Sequence, residues 1–591
     1  MLPGISDIHT PGSGAEDAEG PRRSLPRLIM GSGGTLIAAL LVLAAPASAQ
    51  EPSMDMGPMD MHMSGGWRMV PMDPTMPMLP GMENLVPVVE PFLPGMGMDP
   101  SMLPEAEPSK TVSLGDGDTL DIAVSMVRRT IDGHEMVMYG YNDQYPGPLI
   151  EAPKGATVVV RVTNRIQMPT TIHWHGVRID NRYDGVPGVT QAAIQKGESF
   201  TYHVNVPDAG MYWYHPHVRE DVQQDMGLFG NLLVTSPDPD YYGPANREEV
   251  FVVDDMLMDD QGPIPYGKDA PTHALMGRFG NVMLVNGQTD YHLTARKGEV
   301  VRFYLTNVAN SRTFNVTFGG AKVKVVASDV GRYEREEWVP GVIIAPAERY
   351  IVDVRFDEPG RVAIANTIQA INHFRGEFYP HVDTLAMVDV SDEPASPDYG
   401  EAFETLRENK AVEEDIARFR PYFDEAPDKE LETTVRVQGL PVPIVQAMEM
   451  DTLYKPPVEF NDPMPMMNWL STAEQVTWIL RDRATGAENS DIHWTFEQGD
   501  VVKIRIYNNP VSFHPMNHPI HIHGQRFLVL SMDGVPNDDL VWKDTTIVPV
   551  GSTVDLLVDM SNPGKWMTHC HIAEHLHSGM MFTFTVEAAG P

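Results

Sequence analysis

Cysteine is nearly absent from this sequence of 591 residues, because Cys570 is the only one. A single thiol excludes an intrachain disulfide, so no covalent cross-link supports the fold. Cys570 stands between His569 and His571, and thiolate and imidazole groups are both ligands for transition metals. The lone cysteine is therefore a candidate metal ligand.

Positive charge is also scarce, with 43 Lys and Arg residues against 81 Asp and Glu residues. The resulting net charge of -38 gives a surface that repels nucleic acid and anionic lipid. The composition therefore argues against a nucleic-acid partner. It suits an exported protein that tolerates cations nearby.

Long apolar runs are missing as well. The most apolar stretch, residues 35–45, is too short to span a bilayer, and no other segment comes closer. It follows a basic region with Arg22 and Arg23, and it precedes a small-residue cleavage site at residues 47–49. We expect residues 1–49 to be an export signal, and the paired arginines favour the twin-arginine route to a periplasmic or secreted location. The alternative is a membrane anchor.

Methionine is concentrated in residues 50–108, a Met/Pro-rich segment with little apolar periodicity that we expect to be disordered. Thirteen methionines lie between Met54 and Met102. Thioether sulfur is a soft ligand that favours Cu(I), so this segment is a candidate collector of cuprous ions. The alternative is a low-complexity linker. A second methionine group allows the same interpretation or simple packing; it comprises Met448, Met450, Met464, Met466 and Met467.

One pattern occurs three times after this segment: a glycine, a β-branched strand, and an asparagine nine residues after the glycine. The copies are Gly155–Asn164, Gly298–Asn307 and Gly499–Asn508, and each is followed by further alternating strands. A repeat of this length predicts an all-β chain with three copies of one Greek-key β-sandwich. The predicted domains cover residues 109–240, 245–392 and 431–591, with an acidic, partly helical connector over residues 393–430.

Eight histidines form four His-X-His pairs, two in the first repeat and two in the third. Because residues i and i+2 of a strand face the same side, each pair presents two imidazoles in one direction. One pair would be an ordinary polar strand face, but four pairs predict a cluster of copper, zinc or iron. The middle repeat has none, and we expect it to space the other two. The pairs are His173 and His175, His215 and His217, His521 and His523, and His569 and His571.

Cys570 points to the opposite face of its strand from the two flanking histidines, so it needs a metal of its own. His575 and Met580 follow it across a loop, and His518 lies close to the third histidine pair. Two histidines, one cysteine and an axial methionine make a blue-copper electron-transfer site. The sequence therefore predicts two metal centres joined through the few covalent bonds around Cys570.

These stretches resemble the four copper signatures of the multicopper oxidases, the family of laccases and bacterial cuprous oxidases. The matching segments are HWHG at 173–176, YWYHPH at 212–217, HPIHIHG at 518–524 and HCHIAEHLHSGM at 569–580. The resemblance covers the chain from about residue 109 onward and implies three cupredoxin domains with four copper ions. It implies a type 1 copper at His518, Cys570, His575 and Met580, a type 2 copper at His173 and His521, and a type 3 pair at His175, His215, His217, His523, His569 and His571.

The resemblance also implies an acid near the type 2 copper. Asp184 matches it and is a candidate proton relay to oxygen, while the alternative is a turn residue before Gly185. Many bacterial members carry a second acid directly after the histidine that matches His575, but here that residue is Leu576. Glu574 precedes the histidine, and the sequence leaves open whether it reaches the cluster.

The implied reaction is the one-electron oxidation of a reductant at the type 1 copper, coupled to the four-electron reduction of O₂ to water. Two enzyme interpretations stay open: a laccase-like oxidase of phenols and aromatic amines, and a cuprous oxidase for copper tolerance, with Fe(II) or Mn(II) as other metal reductants. A copper store without turnover is disfavoured because storage needs no electron-transfer site. A two-domain nitrite reductase is disfavoured because it would lack the paired His-X-His sets.

Overall fold

The computed structural model describes residues 92–372, 377–438, 458–460 and 475–590. The predicted export signal, most of the Met-rich segment and the second methionine group lie outside the described residues. Within these ranges, the strands form three successive pairs of sheets, which confirms the all-β prediction. None of the helices in the described ranges is long and apolar enough to cross a membrane.

The first domain packs a five-stranded sheet, in the order β1-β4-β9-β8-β6, against a four-stranded sheet, β3-β2-β5-β7. Short 3-10 helices occupy Pro100–Met102 and Asn181–Tyr183, and helix α1 occupies Glu220–Gln223. The strands are β1 (Thr111–Ser113), β2 (Thr119–Ile131), β3 (His134–Tyr141), β4 (Leu149–Pro153), β5 (Thr157–Asn164), β6 (His173–His175), β7 (Ser199–Asn205), β8 (Gly210–His215) and β9 (Gly230–Thr235).

The second domain has two larger sheets, in the orders β13-β10-β15-β20-β17-β18 and β14-β22-β21-β16-β19, with a small pair formed by β11 and β12. Helix α2 (Ala270–Met276) lies between its early strands. The strands are β10 (Arg247–Met256), β11 (Met258–Asp259), β12 (Gly262–Pro263), β13 (Val282–Val285), β14 (Tyr291–Lys297), β15 (Glu299–Asn307), β16 (Phe314–Thr317), β17 (Lys322–Ser328), β18 (Gly331–Val339), β19 (Val342–Ile344), β20 (Arg349–Phe356), β21 (Gly360–Asn372) and β22 (Glu377–Pro394).

The connector is partly helical, as its composition predicted, with α3 (Gly400–Glu404), α4 (Lys410–Ala417) and a 3-10 turn at Arg420–Tyr422. The third domain then forms sheets in the orders β25-β23-β27-β33-β29-β30 and β26-β35-β34-β28-β32, while β24 pairs with β21 and β31 with β29. Besides a 3-10 turn at Asn489–Asp491 and helix α5 (Ala573–His577), its elements are β23 (Lys429–Val437), β24 (Val458–Phe460), β25 (Val476–Asp482), β26 (Trp494–Glu497), β27 (Asp500–Asn508), β28 (His518–Ile522), β29 (Arg526–Met532), β30 (Val535–Pro536), β31 (Trp542–Lys543), β32 (Thr545–Val548), β33 (Thr553–Met560), β34 (Gly564–Cys570) and β35 (Met581–Glu587).

The repeated asparagine has the same structural task in each domain. Asn164, Asn307 and Asn508 end strands β5, β15 and β27, and all three are buried. The side-chain amide of each donates to two backbone carbonyls at 2.7–2.9 Å, one shortly after the strand and one more distant in the chain. These bonds satisfy carbonyls that would otherwise be buried without a donor, which explains the constant spacing of the pattern.

Residues 92–108 follow a defined path, so the expectation of disorder is wrong for this part of the Met-rich segment. Phe92 exchanges two backbone hydrogen bonds with Tyr266, both 2.9 Å, and the Ala106 amide donates to the Arg128 carbonyl at 2.9 Å. Composition predicted that the segment could not form a core of its own. It needs none here, because its backbone pairs with residues of the first two domains.

Buried apolar side chains divide the molecule unevenly. One continuous cluster contains core residues of the first and third domains, such as Trp174 and Trp566, and some of the second, such as Leu275. A separate cluster around Phe251 and Phe303 forms the core of the second domain. The first and third domains are therefore packed against each other, and the two sets of histidine pairs lie on these two domains.

Candidate metal centres

The histidine pairs lie on strands that are neighbours in their sheets. Strand β6 pairs with β8 so that His173 stands opposite His215. In the third domain, β28 pairs with β34 so that His521 stands opposite His569. Because side chains alternate along a strand, each sheet presents its imidazoles on one face, as the spacing predicted.

The structure brings all eight of these imidazoles together between the first and third domains. None is more than 6% exposed. The rings of His175 and His521 stack with centroids 3.8 Å apart, and those of His173 and His523 lie 4.0 Å apart. The Nε2 atoms of His523 and His569 are 3.0 Å apart. Ligand atoms lie within 4.8 Å of one another in three such groups: His173, His521 and His523; His173, His175 and His215; and His217, His523 and His569.

The ring nitrogens in this cluster fit a metal. Six of them are buried without a hydrogen-bond partner among the described residues, and a buried polar atom left unsatisfied costs about 1–3 kcal/mol. Metal ions accept such lone pairs, and a donor set of imidazoles suits copper, zinc or iron. The unsatisfied atoms are Nε2 of His173, His215, His217, His521 and His571, and Nδ1 of His175.

Backbone carbonyls orient four of the rings by accepting a hydrogen bond from Nδ1–H. The carbonyl of Asp184 lies 2.8 Å from His173 Nδ1, and that of Asp544 lies 2.8 Å from His521 Nδ1. The carbonyls of Pro216 and Cys570 do the same for His215 and His569, both at 2.9 Å. Each of these bonds turns the Nε2 atom of the ring toward the cluster.

Three carboxylates touch other rings of the cluster. Asp184, the predicted acid, places Oδ2 3.0 Å from His523 Nδ1. Sequence reasoning missed the other two: Glu220 Oε1 is 2.7 Å from His217 Nδ1, and Asp544 Oδ1 is 3.0 Å from His175 Nε2. A carboxylate three residues after His217 was a signal that could have been used. Asp544 had no local signal, because it is 369 residues from its partner.

Burial sets the charge of the cluster. Loss of water lowers the pKa of His215, His521, His523 and His569 well below the ordinary value, and neighbouring imidazoles lower it further. These rings are therefore neutral at physiological pH, which is the form that binds metal. Burial is the largest influence on His217 and opposes its protonation, but the carboxylates of Glu220 and Asp184, together with hydrogen bonding, raise the pKa of that ring.

Cys570 lies in a second group of ligands on the other face of β34. Its Sγ is 3.6 Å from His518 Nδ1 and 3.7 Å from His575 Nδ1, and all three side chains are buried. Met580 is fully buried and its carbonyl accepts a hydrogen bond from the Cys570 amide at 3.1 Å. Burial raises the pKa of the Cys570 thiol, so a bound cation is needed to hold the thiolate.

A tryptophan that the sequence did not single out packs on this second group. Trp478 of β25 stacks on His575 with ring centroids 4.0 Å apart and an interplanar angle of 26°. Its Nε1–H donates to the Ala274 carbonyl of α2 at 2.8 Å. The second domain thus contributes to the surroundings of the Cys570 group through α2.

The side-chain hydrogen bonds of Glu574 join it to the second domain, and none of them in the described residues is to a ring of the imidazole cluster. Its two carboxylate oxygens accept from Ser311 Oγ at 2.8 Å and from Asn310 Nδ2 at 3.2 Å, both in the second domain. Burial raises its pKa to about 7. Leu576, at the position of the second family acid, packs among apolar side chains that include Val186.

Comparison with known proteins matches three segments of the chain to family models described as multicopper oxidase, at residues 123–239, 243–382 and 459–590. The chain belongs to the multicopper oxidase family. The three matched segments correspond to the three sandwich domains. Membership confirms the resemblance, the copper-dependent chemistry and an oxidoreductase activity with O₂ as acceptor.

The relatives of this multicopper oxidase are distant but cover most of its length. Multicopper oxidase MmcO of Mycobacterium tuberculosis is 28% identical over 468 residues, covering 74% of this chain and 81% of its own. Laccase-2 of Cryptococcus neoformans var. grubii is 24% identical over 525 residues, covering 77% and 82%. The solved structure of a multicopper oxidase from Campylobacter jejuni, described as a metallo-oxidase, superposes with a TM-score of 0.62 at 22% identity, covering 83% and 97%. At such identity the superposition shows the fold alone.

Proposed function

We propose that this protein is an exported, laccase-like oxidase that binds four copper ions. A type 1 copper is assigned to His518, Cys570, His575 and Met580. A type 2 copper is assigned to His173 and His521. The type 3 pair is assigned to the remaining imidazoles of the cluster: His175, His215, His217, His523, His569 and His571. Export to the periplasm or the cell exterior is proposed from the signal-like residues 1–49.

This proposal rests on the arrangement of the ligands along the end of β34 and at His571, the residue that follows the strand. Cys570 faces His518 and His575, while His569 and His571 belong to the imidazole cluster. One peptide bond on each side joins the cysteine to these two cluster ligands. The chain therefore provides a covalent path between the two centres, which a storage protein would not need.

When bound, the coppers supply one-electron oxidation of a reductant and four-electron reduction of O₂ to two waters. The protein holds neutral imidazoles in fixed orientations and keeps bulk water away from the cluster. Asp184 touches two ligand rings, since Oδ1 lies 3.3 Å from His173 Nδ1 and Oδ2 lies 3.0 Å from His523 Nδ1. This position supports its proposed part in moving protons to reduced oxygen.

A dedicated cuprous oxidase is the second candidate, and two observations favour it. Met96, Met98 and Met102 are 44%, 43% and 80% exposed on the ordered part of the Met-rich segment, which leaves soft sulfur ligands at the surface. The rings of His518 and His575 are at most 1% exposed, which favours a small reductant over a bulky phenol.

Oxygen uptake by copper-loaded protein, with a diphenol and with Cu(I) as separate reductants, tests the two candidates. The measurement is repeated after deletion of residues 51–91, because residues 92–108 pair with the folded domains and must be kept. Parallel substitution of Met96, Met98 and Met102 by leucine removes the sulfur ligands and keeps the apolar volume.

The two rates separate the possible outcomes. Loss of the Cu(I) rate with the diphenol rate preserved identifies the methionines as a cuprous collector and supports copper tolerance. Equal rates before and after the changes make the segment a linker and support a general laccase. Absence of oxygen uptake with both reductants in fully loaded protein contradicts the proposed function itself.

A further inference from the structure

Glu220 makes the shortest contact that any of the three carboxylates makes with a ring of the cluster. Its Oε1 lies 2.7 Å from His217 Nδ1, against 3.0 Å for the nearest contacts of Asp184 and Asp544. The side chains of Glu220 and His217 are 11% and 4% exposed. The contact is therefore shielded from water. A charge-assisted hydrogen bond is stronger in such a buried environment than at the surface.

The backbone adopts an unusual conformation next to Glu220. Arg219 has φ 47° and ψ 56°, the left-handed conformation that residues with a side chain rarely adopt, and α1 begins at the next residue. The Arg219 side chain is held in place by two hydrogen bonds to Asp221, both 2.8 Å. Unfavourable backbone conformations of this kind concentrate at functional sites, where the surrounding structure holds them. The turn places Glu220 beside a ring three residues earlier.

The Nε2 edge of the His217 ring, opposite the edge that contacts Glu220, is available to bind metal. Its Nε2 atom is buried without a hydrogen-bond partner among the described residues, and it lies in a group with His523 and His569. In this group, His217 Nδ1 lies 2.7 Å from a carboxylate oxygen of Glu220, His523 donates Nδ1–H to Asp184, and His569 donates to a backbone carbonyl. A carboxylate behind a metal-bound imidazole fixes the ring orientation and increases the basicity of the ligand nitrogen.

We propose that Glu220 is a positioning residue for the copper held by His217, His523 and His569. It accepts the hydrogen bond from His217 Nδ1–H and thereby aims Nε2 at the metal. The inference rests on the proposed function, since it assumes that the imidazole cluster binds copper. It assigns no proton transfer to Glu220.

The test compares Glu220→Ala and Glu220→Gln with the matched control Asp221→Asn in copper-loaded full-length protein. Alanine removes the acceptor. Glutamine keeps an oxygen for the Nδ1–H bond but removes the charge, so it should restore part of the effect. Asp221 is the next acid on the same helix and pairs with Arg219 instead of a histidine, so its variant tests general disturbance of the turn.

Copper content is measured by elemental analysis during titration with a copper chelator, and the blue absorption of the Cys570 centre serves as an internal reference. Loss of an outer hydrogen-bond partner of a metal ligand typically weakens metal binding 10–100-fold. We expect Glu220→Ala to release cluster copper at about 10–100-fold lower chelator concentration, with Glu220→Gln between it and the wild type. Blue absorption and the melting temperature of copper-free protein should match those of the control.

Three results would overturn the inference. One is release of cluster copper by Glu220→Ala at the same chelator concentration as the control. Another is equal loss of copper from the blue centre and the cluster, which indicates general unfolding. The third is a fall in the melting temperature of Glu220→Ala, relative to the wild type, that is as large in copper-free protein as in copper-loaded protein. A wild-type protein that binds no cluster copper contradicts the proposed function instead, so the two failures are distinguishable.

Discussion

Arg349 and Asp544 form a fully buried ion pair that joins the second domain to the third. The guanidinium donates to both carboxylate oxygens, at 2.7 and 2.5 Å, and Asp544 Oδ1 also lies 3.0 Å from His175 Nε2. The Arg349 Nε–H donates to the Met211 carbonyl of the first domain at 2.9 Å. The second domain was expected only to space the others, but Arg349 makes it part of the surroundings of the cluster.

Replacing Arg349 with methionine should destabilise the copper-free protein by about 3–5 kcal/mol, because Asp544 would be left as an uncompensated buried charge. Chemical denaturation of copper-free protein measures this loss. The control is Arg361→Met, which breaks an exposed pair with Asp389 whose side chains are 65% and 55% exposed. Exposed pairs contribute roughly 0–1 kcal/mol. Similar losses for both variants would contradict a special role for Arg349.

Gly176 should not tolerate alanine. A Cβ at this position would lie 2.2 Å from Asp544 Oδ2 and 2.6 Å from Arg349 Nη2, and φ is +81°. Gly117 has the same φ of +81° but nothing within 4 Å of the added carbon. Gly117→Ala should therefore cost only the conformational penalty of about 1–2 kcal/mol. We expect Gly176→Ala to lose more stability and, in addition, cluster copper; equal melting temperatures and copper contents would refute the steric argument.

Cys570→Ser should abolish the blue absorption and the oxidase turnover. Serine has nearly the same shape, but its hydroxyl does not supply the soft thiolate ligand that defines a blue-copper site. The protein should stay folded and keep its cluster copper, since the imidazoles are held by other contacts. Visible absorption, copper analysis and oxygen uptake test this expectation. Retained turnover would contradict the covalent path between the two centres.

Asp184→Asn should slow oxygen reduction while electrons still reach the Cys570 centre. The amide oxygen can still accept from His523 Nδ1, so the ring keeps its orientation, while the charge and the ability to take up and release a proton are lost. General acid–base groups contribute typically 10²–10⁴-fold, so turnover should fall by about that range. Anaerobic bleaching of the blue colour and aerobic turnover separate the two steps. Unchanged turnover would contradict a proton relay at Asp184 and favour the alternative, a turn residue before Gly185.

Local spacing predicted the strands and the common face of each histidine pair. The three Gly–Asn repeats correspond to β5, β15 and β27, and period-two alternation placed each His-X-His pair on one face. Partners distant in the chain were not predictable in this way. Asp544 reaches His175 only through the packing of two domains, and Trp478 reaches His575 across the third domain's own core. The prediction of disorder failed for residues 92–108 because composition shows only that a segment cannot form a core of its own. It does not show that folded domains offer backbone groups with which the segment can form hydrogen bonds.

The alternation of side chains on β34 has a consequence for how the sequence can change. His569 and His571 face the imidazole cluster, whereas Cys570, between them in the sequence, faces His518 and His575. A single residue inserted before His569 would exchange the two faces, directing a thiol into the cluster and an imidazole toward the blue site. Two inserted residues would return each side chain to its original face and would only shift the ligands along the strand. Length changes in this strand are therefore constrained by whether they are odd or even as well as by their size.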